Sequence, residues 1–309
     1  MLKSTNLRRM VAVGPILMVI LLTVGCVPRA PRIGGGGGGV PVKAVPSSSV
    51  KFGSTVWANP GESMPSAVAR ESSAYGQMNV LRGFAAGLPK GWTSYTTSTH
   101  GDLVASFKAL PRDVISGKSD AAVRAWFASA PSDRNVYWSY YHEPEDNIAR
   151  GEFTAAEYRA AWNRLTVLAR SANPRLHSTL VLMAWSLDPA SGRNWRDYYA
   201  GDATIDVLGW DAYNLLANKG KYDTPDHIFG KSIAVSKSVG KPYGFAEFGS
   251  IVAAGDSTGN GRAAWLRSAG SYLRSSGSLW AAYFNAPIGG EFRLLDGPSA
   301  SAWRAVMGG

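Results

Sequence analysis

Val136-Tyr137-Trp138-Ser139-Tyr140-Tyr141 is a run of bulky residues that favour extended backbone. It is followed by Ala155–Ser171, where Tyr158, Ala161, Trp162, Leu165 and Leu168 form one stripe at three- and four-residue spacing. A second apolar run, Ser178–Trp185, comes next. Strand, amphipathic helix, strand is the repeating unit of a parallel sheet. The same alternation extends outward in both directions. Upstream lie candidate strands Val50–Ala58, Met78–Phe84 and Leu103–Leu110; downstream lie Asp206–Tyr213, Pro242–Glu247 and Leu279–Asn285. Helical patterns cover Ser119–Ala130, His227–Val239, Arg262–Ser275 and a closing Ser299–Met307. Eight strands within roughly 260 residues match the size of a closed (β/α)₈ barrel, the TIM barrel. One unit reads weakly: residues 85–102 are rich in Gly, Ser and Thr, so a short helix or a loop is expected there. A doubly wound open sheet is the alternative, but it normally carries a Gly-rich phosphate turn after its first strand. The polyglycine here precedes every strand.

The N-terminal segment has a different character. Lys3, Arg8 and Arg9 precede an almost wholly apolar stretch from Met10 to Val27, the pattern of an export signal, with an uncleaved membrane anchor as the competing reading. Cys26, the only cysteine, closes that run in Leu22-Thr23-Val24-Gly25-Cys26, which resembles a bacterial lipobox with Thr23 where Leu is preferred. Lipidation of Cys26, cleavage elsewhere and a retained anchor all remain open. Residues 28–49 hold four prolines, the run Gly34–Gly39 and Ser47–Ser49, a composition that makes a flexible tether. The expected organisation is therefore 1–27 signal, 28–49 linker and 50–309 barrel domain, exported to the cell envelope or beyond.

The net charge of +10 suggests an acidic partner until it is located. Residues 1–50 contribute six basic residues and no acidic one, leaving 26 Lys and Arg against 22 Asp and Glu. No dense basic run follows, which argues against a nucleic-acid partner. The domain has no cysteine for disulfide or thiol chemistry. Its four histidines are scattered without metal-ligand spacing, and it holds neither a G-x-S-x-G elbow nor a phosphate-binding loop. No metal or cofactor is expected, and the chain is read as a monomer.

Active sites of parallel barrels lie at the carboxyl ends of strands. Two of those ends carry a glutamate directly after an aromatic or apolar run: Glu143 in Tyr140-Tyr141-His142-Glu143-Pro144, and Glu247 in Tyr243-Gly244-Phe245-Ala246-Glu247-Phe248-Gly249. A carboxylate in such surroundings is costly unless partnered, so the placement points to function. Two carboxyls facing each other across a barrel mouth suit cleavage of a glycosidic bond: one donates a proton to the leaving oxygen, the other attacks or stabilises the anomeric carbon. The competing reading is that each caps a helix or pairs with an arginine.

His142-Glu143-Pro144 and Phe245-Ala246-Glu247-Phe248-Gly249 resemble the ends of strands four and seven in clan A glycoside hydrolases. A His before the first glutamate is similar to glycoside hydrolase family 26, as is the string from Tyr199-Ala200-Gly201-Asp202 through Asp206-Val207-Leu208-Gly209-Trp210-Asp211-Ala212-Tyr213-Asn214. The resemblance implies that Glu143 is the acid/base, Glu247 the nucleophile, and the outcome retention. It implies that His142 holds the acid/base region or touches a sugar hydroxyl, and that Tyr213 hydrogen-bonds Glu247. The implied activity is that of a retaining endo-β-glycanase on a β-linked polysaccharide, first of all β-mannan. A non-catalytic carbohydrate-binding barrel lipoprotein is the alternative.

Period-two alternation sets Gly209, Asp211 and Tyr213 on one face of strand six, with Asp211 a substrate-binding candidate. Trp185, Trp195 and Trp92 are candidates for stacking on sugar rings. Arg82 and Lys108, near the ends of strands two and three, are candidates for binding sugar hydroxyls, with a salt bridge as the equal alternative. At strand eight, where the clan usually offers Trp, Tyr283 or Asn285 is expected to substitute.

Overall fold

The computed structural model describes residues 49–96 and 99–309. The signal, Cys26 and nearly all of the glycine-rich linker lie outside the described residues. Eight strands occur where the bulky runs place them, within three residues at each end: β1 Lys51–Val56, β2 Val80–Ala85, β3 Asp102–Phe107, β4 Val136–Tyr140, β5 His177–Met183, β6 Val207–Tyr213, β7 Tyr243–Gly249 and β8 Trp280–Asn285. All pair in parallel and in order, and β8 returns to β1, closing the barrel. Closure excludes the open doubly wound sheet.

The helices are α1 Met64–Tyr75, α2 Thr93–Thr96, α3 Pro111–Ile115, α4 Asp120–Ala128, α5 Glu145–Ala149, α6 Ala155–Ala172, α7 Pro225–Ser238, α8 Asn260–Ser276 and α9 Gly297–Gly308. α6 shows why the clearest periodic stretch folds as expected. Thr154 and Glu157 form a reciprocal capping box, the hydroxyl accepting from Glu157 N and the carboxylate from Thr154 N at 2.7 Å. Losing that cap would cost about 1 kcal/mol. The buried stripe includes Trp162, whose truncation to Ala would cost about 3–5 kcal/mol. α1 gives little periodic signal because its buried residues are Ala67, Val68, Glu71 and Tyr75. It starts because Ser63 accepts from Ser66 N and Pro65 occupies the first turn. The weak 85–102 stretch supplies only the four-residue α2. β5 is followed by short 3₁₀ turns rather than a helix. No described helix is long and apolar enough to cross a membrane.

The core has two parts. The larger lies between barrel and helices. The smaller fills the barrel itself and includes Val80, Tyr137, Val207, Leu279 and Trp280, all at or near the amino ends of their strands. Trp280 packs 5.5 Å from Tyr137, and a Cβ on Gly244 would strike its indole at 2.4 Å. Bulky apolar groups therefore plug the amino end. The inward positions toward the carboxyl ends include the buried polar residues Arg82, Ser106, Asp211 and Glu247, which sets the site there.

Candidate active site

β4 ends on two residues in the left-handed region, Tyr141 at φ 46° and Glu143 at φ 51°. Non-glycine residues pay about 1–2 kcal/mol each for that conformation. Neighbouring strands hold both in place. Tyr141 N donates to Phe107 O of β3 at 2.7 Å, and Glu143 N donates to Val181 O of β5 at 3.1 Å. Strain enforced from both sides marks a position where the side chain's aim matters.

The Glu143 carboxyl makes no hydrogen bond to the described residues. Burial first, then the nearby charges of Glu247 and Glu145, push its pKa up to about 8. It is therefore a protonated acid at neutral pH. Two residues on, Glu145 is fully buried and its pKa is pushed up to about 7, chiefly by burial. It is tied down, however, accepting from Met183 N at 2.8 Å and Ser186 Oγ at 3.0 Å. Glu145 anchors α5 to the end of β5; Glu143 is left for a ligand.

His142 is buried beside β3, its Nδ1 2.9 Å from Ser106 Oγ. Arg82 Nη1 donates to the same oxygen at 2.8 Å. Because Arg82 can only donate, the most economical assignment has the serine hydroxyl donating onward to Nδ1, leaving Nε2 as the protonated nitrogen. Burial, reinforced by Arg82 and Lys108, drives the His142 pKa well down, so the ring is neutral.

Glu247 is aimed by a β-bulge. β7 leaves regular register between Phe245 and Phe248, so that Asp211 of β6 faces Glu247 where strict alternation would bring Ala246. Phe245 and Phe248 both pack outward against Phe229 of α7, at 4.9 and 5.8 Å. The extra residue resets the phase between them, and Glu247 turns into the barrel. There Tyr213 Oη donates to its Oε2 at 2.6 Å, and Arg82 Nη2 lies 3.2 Å from its Oε1. Tyr213 is itself wedged against Phe284 and Phe292. Burial and the Glu247 charge raise the Tyr213 pKa well above its usual value, keeping it a hydrogen-bond donor.

Asp211 lies across from Glu247, buried, with neither carboxyl oxygen hydrogen-bonded. Burial, then Glu247 and Glu143, raise its pKa well above the usual carboxylate value. Lys108 is half-buried with its ammonium 5.3 Å from the Tyr141 ring centre, and burial lowers its pKa. Glu143, Glu247, His142, Tyr213, Arg82, Lys108 and Asp211 are thus brought together at one barrel mouth. Ser106 and Glu145 join them, two residues whose types give no sequence signal.

Other candidates are placed elsewhere. Trp92 stacks on Trp126 at 4.2 Å and donates to its carbonyl, buried in the helix layer rather than lining the mouth. Tyr283 points outward, donating to Phe292 O at 2.8 Å and packing on Phe248 and Trp303. Asn285 also points outward, accepting from Leu294 N at 2.9 Å beside Glu71. The reason is β8 alternation: Trp280 and Ala282 face the barrel, and the next inward position is Phe284. Phe284 is thus the aromatic of β8 at the mouth, and counting in twos from Trp280 would have found it. Trp195 is nearly buried, with the Arg196 guanidinium over its face and Tyr199 beside it. Trp185 stands 45% exposed on the rim after β5. A separate surface cleft of about 410 Å³ is lined by residues including Val252, Arg262, Arg293 and Asp296, and contains none of these groups. Among the described residues no group of three or more His, Cys, Asp or Glu could hold a metal ion.

No protein-family model matches the chain, and no curated protein matches it in sequence. Solved structures do. A glucosidase from Croceicoccus marinus superposes with TM-score 0.58 at 15% identity, over 84% of this chain and 66% of its own, so the chain spans just under two thirds of that protein. The family 26 glycoside hydrolase domain of an endo-β-mannanase/endo-β-glucanase from Prevotella bryantii gives 0.56 at 14% identity, over 84% and 89%. A family 128 endo-β-1,3-glucanase from Sorangium cellulosum gives 0.57 at 17%, over 83% and 98%. The likeness establishes a shared barrel fold.

Proposed function

We propose that the chain is a retaining β-glycanase acting by double displacement, with β-mannan its foremost substrate. The observation that carries this reading is the unequal treatment of two inward carboxyls. Glu143 is kept protonated by burial, whereas Glu247 is held by a cation and a hydroxyl donor. A carboxyl raised by burial suits the acid, and one paired with a cation and a hydroxyl donor suits the nucleophile. Glu247 attacks the anomeric carbon while Glu143 gives its proton to the departing glycosidic oxygen, leaving a glycosyl ester on Glu247. Esterification removes the Glu247 charge that had helped raise the pKa of Glu143. Glu143, now a carboxylate, is then suited to take a proton from the water that attacks the same carbon, releasing Glu247 with configuration retained. His142, neutral and fixed by Ser106, presents Nε2–H as a donor. Similarity to mannanase and glucanase barrels and the family 26-like strings around Glu143 and Asp211 support the substrate class.

The test is the full chain against a panel of β-mannan, β-glucans and xylan, with reducing ends and products measured. Hydrolysis of one of them by the parent, lost in Glu143→Gln and Glu247→Gln, is expected. Binding without release of reducing ends would leave a carbohydrate-binding barrel instead. Export, with lipid attachment at Cys26, belongs to the same proposal: Cys26→Ser should move the protein from the membrane to the soluble fraction, and an unchanged distribution would remove it.

A further inference from the structure

Large apolar side chains exposed on this protein are unevenly distributed. Among the described residues, all but Ile115 and Val167 lie at or beyond the carboxyl ends of strands, the end of the barrel that holds the carboxyls, though Val252 and Leu295 line the separate cleft. Two of them, Trp57 and Phe84, are each 38% exposed. Phe84 is the more telling. Its ring centre lies 5.3 Å from the His142 ring and 5.4 Å from the Arg82 guanidinium carbon. It thus touches the neighbour of Glu143 and the ion-pair partner of Glu247, while much of its surface stays open to solvent. β1 and β2 pair with Thr55 opposite Arg82, and Trp57 follows directly on the end of β1, the strand next to the one that carries Phe84. Trp185, the exposed aromatic after β5, stands on the other arc of the barrel, between the strands that carry Glu143 and Glu247.

Resting on the glycanase reading, we infer that Phe84 and Trp57 form a sugar-stacking platform on the side of the carboxyl pair opposite Trp185. A glycan passing between Glu143 and Glu247 then has an aromatic floor on both sides of the bond to be cut. Aromatic faces bury the flat apolar face of a pyranose and leave its hydroxyls to the polar groups of the mouth. Such a cleft binds sugars on either side of the scissile bond and cuts within a chain. The ligand class is a β-linked hexose chain of several units, rather than a terminal sugar alone.

The experiment uses the full chain and three hexaoses: β-1,4-mannohexaose, β-1,4-glucohexaose and β-1,3-glucohexaose. Binding is measured by calorimetry on Glu143→Gln with and without Trp57→Ala, and kinetics and first products on the active parent. For the hexaose bound, Trp57→Ala should weaken affinity about five- to tenfold, the scale of a lost aromatic stack. It should raise KM to match, hold kcat within about twofold, and move the preferred point of first cleavage. Phe84→Ala should do the same with a further loss in kcat, and Phe84→Tyr should restore binding. If the parent hydrolyses a hexaose while affinity, KM and cleavage position are unmoved by Trp57→Ala and Phe84→Ala, the platform is overturned and the glycanase reading stands. If no hexaose is bound or cut, both are overturned.

Discussion

The carboxyl ends of β4 and β7 each deliver a glutamate to the barrel mouth, and they do so by opposite means. At β4 the strand stops, and the backbone steps through the left-handed region at Tyr141 and Glu143, pinned to β3 and β5. At β7 the strand continues to Gly249, and one extra residue inside it swings Glu247 inward between two outward phenylalanines. The first route leaves a partly exposed carboxyl with no hydrogen-bonding partner among the described residues; the second brings a carboxyl to Arg82 and Tyr213. Residue type does not separate the two roles. The neighbours do: burial raises the pKa of Glu143, while Glu247 is paired with a cation and a hydroxyl donor.

The comparison breaks most visibly at Glu247. Glu247→Gln should lower turnover roughly 10⁴- to 10⁶-fold, the scale on which loss of a nucleophile acts, measured as steady-state hydrolysis of the substrate found in the panel. Glu143→Gln should cost about 10²- to 10⁴-fold, as for a general acid. It should also abolish a pH dependence: the parent's rate falls as pH rises through about 8, where Glu143 loses its proton, and the variant's rate does not. Tyr213→Phe removes one hydrogen bond to a charged carboxylate and should lower kcat about 10- to 100-fold. Glu71 serves as a control. It lies on the helix side of the barrel, against the outward-pointing Asn285 and the Trp57 backbone, and burial pushes its pKa up to about 8. A carboxyl whose folded pKa is raised stabilises below its unfolded value of 4.5, and that stabilisation is lost as pH climbs through about 8. Glu71→Gln should therefore leave turnover within about twofold and gain a few degrees in Tm relative to the parent between pH 5 and pH 8. A large loss of activity in this variant would mean that burial alone does not distinguish structural from working carboxyls here.

The strands were legible because runs such as Val136–Tyr141 are long and bulky, and α6 because its stripe is regular. α1 was not, since alanines and a glutamate occupy its buried face. The glutamates were legible as charges placed after apolar runs, but the aim of Glu247 was not. Period-two alternation would set Glu247 on the same face as Phe245, which packs outward, and only the bulge turns it in. The same alternation, applied to β8 from Trp280, would have chosen Phe284 over Tyr283 and Asn285. Arg82 was legible as a polar residue near a strand end; its ion pair with Glu247 depends on barrel closure, which no local pattern encodes.

The division of labour between the two glutamates can be read from a covalent intermediate. The parent is incubated with a 2-deoxy-2-fluoro glycoside of the sugar it hydrolyses, digested, and mapped by mass spectrometry. The account predicts one sugar adduct on the peptide carrying Tyr243–Gly249, at Glu247. An adduct on Glu143, or turnover with inverted product and no adduct at all, would contradict it.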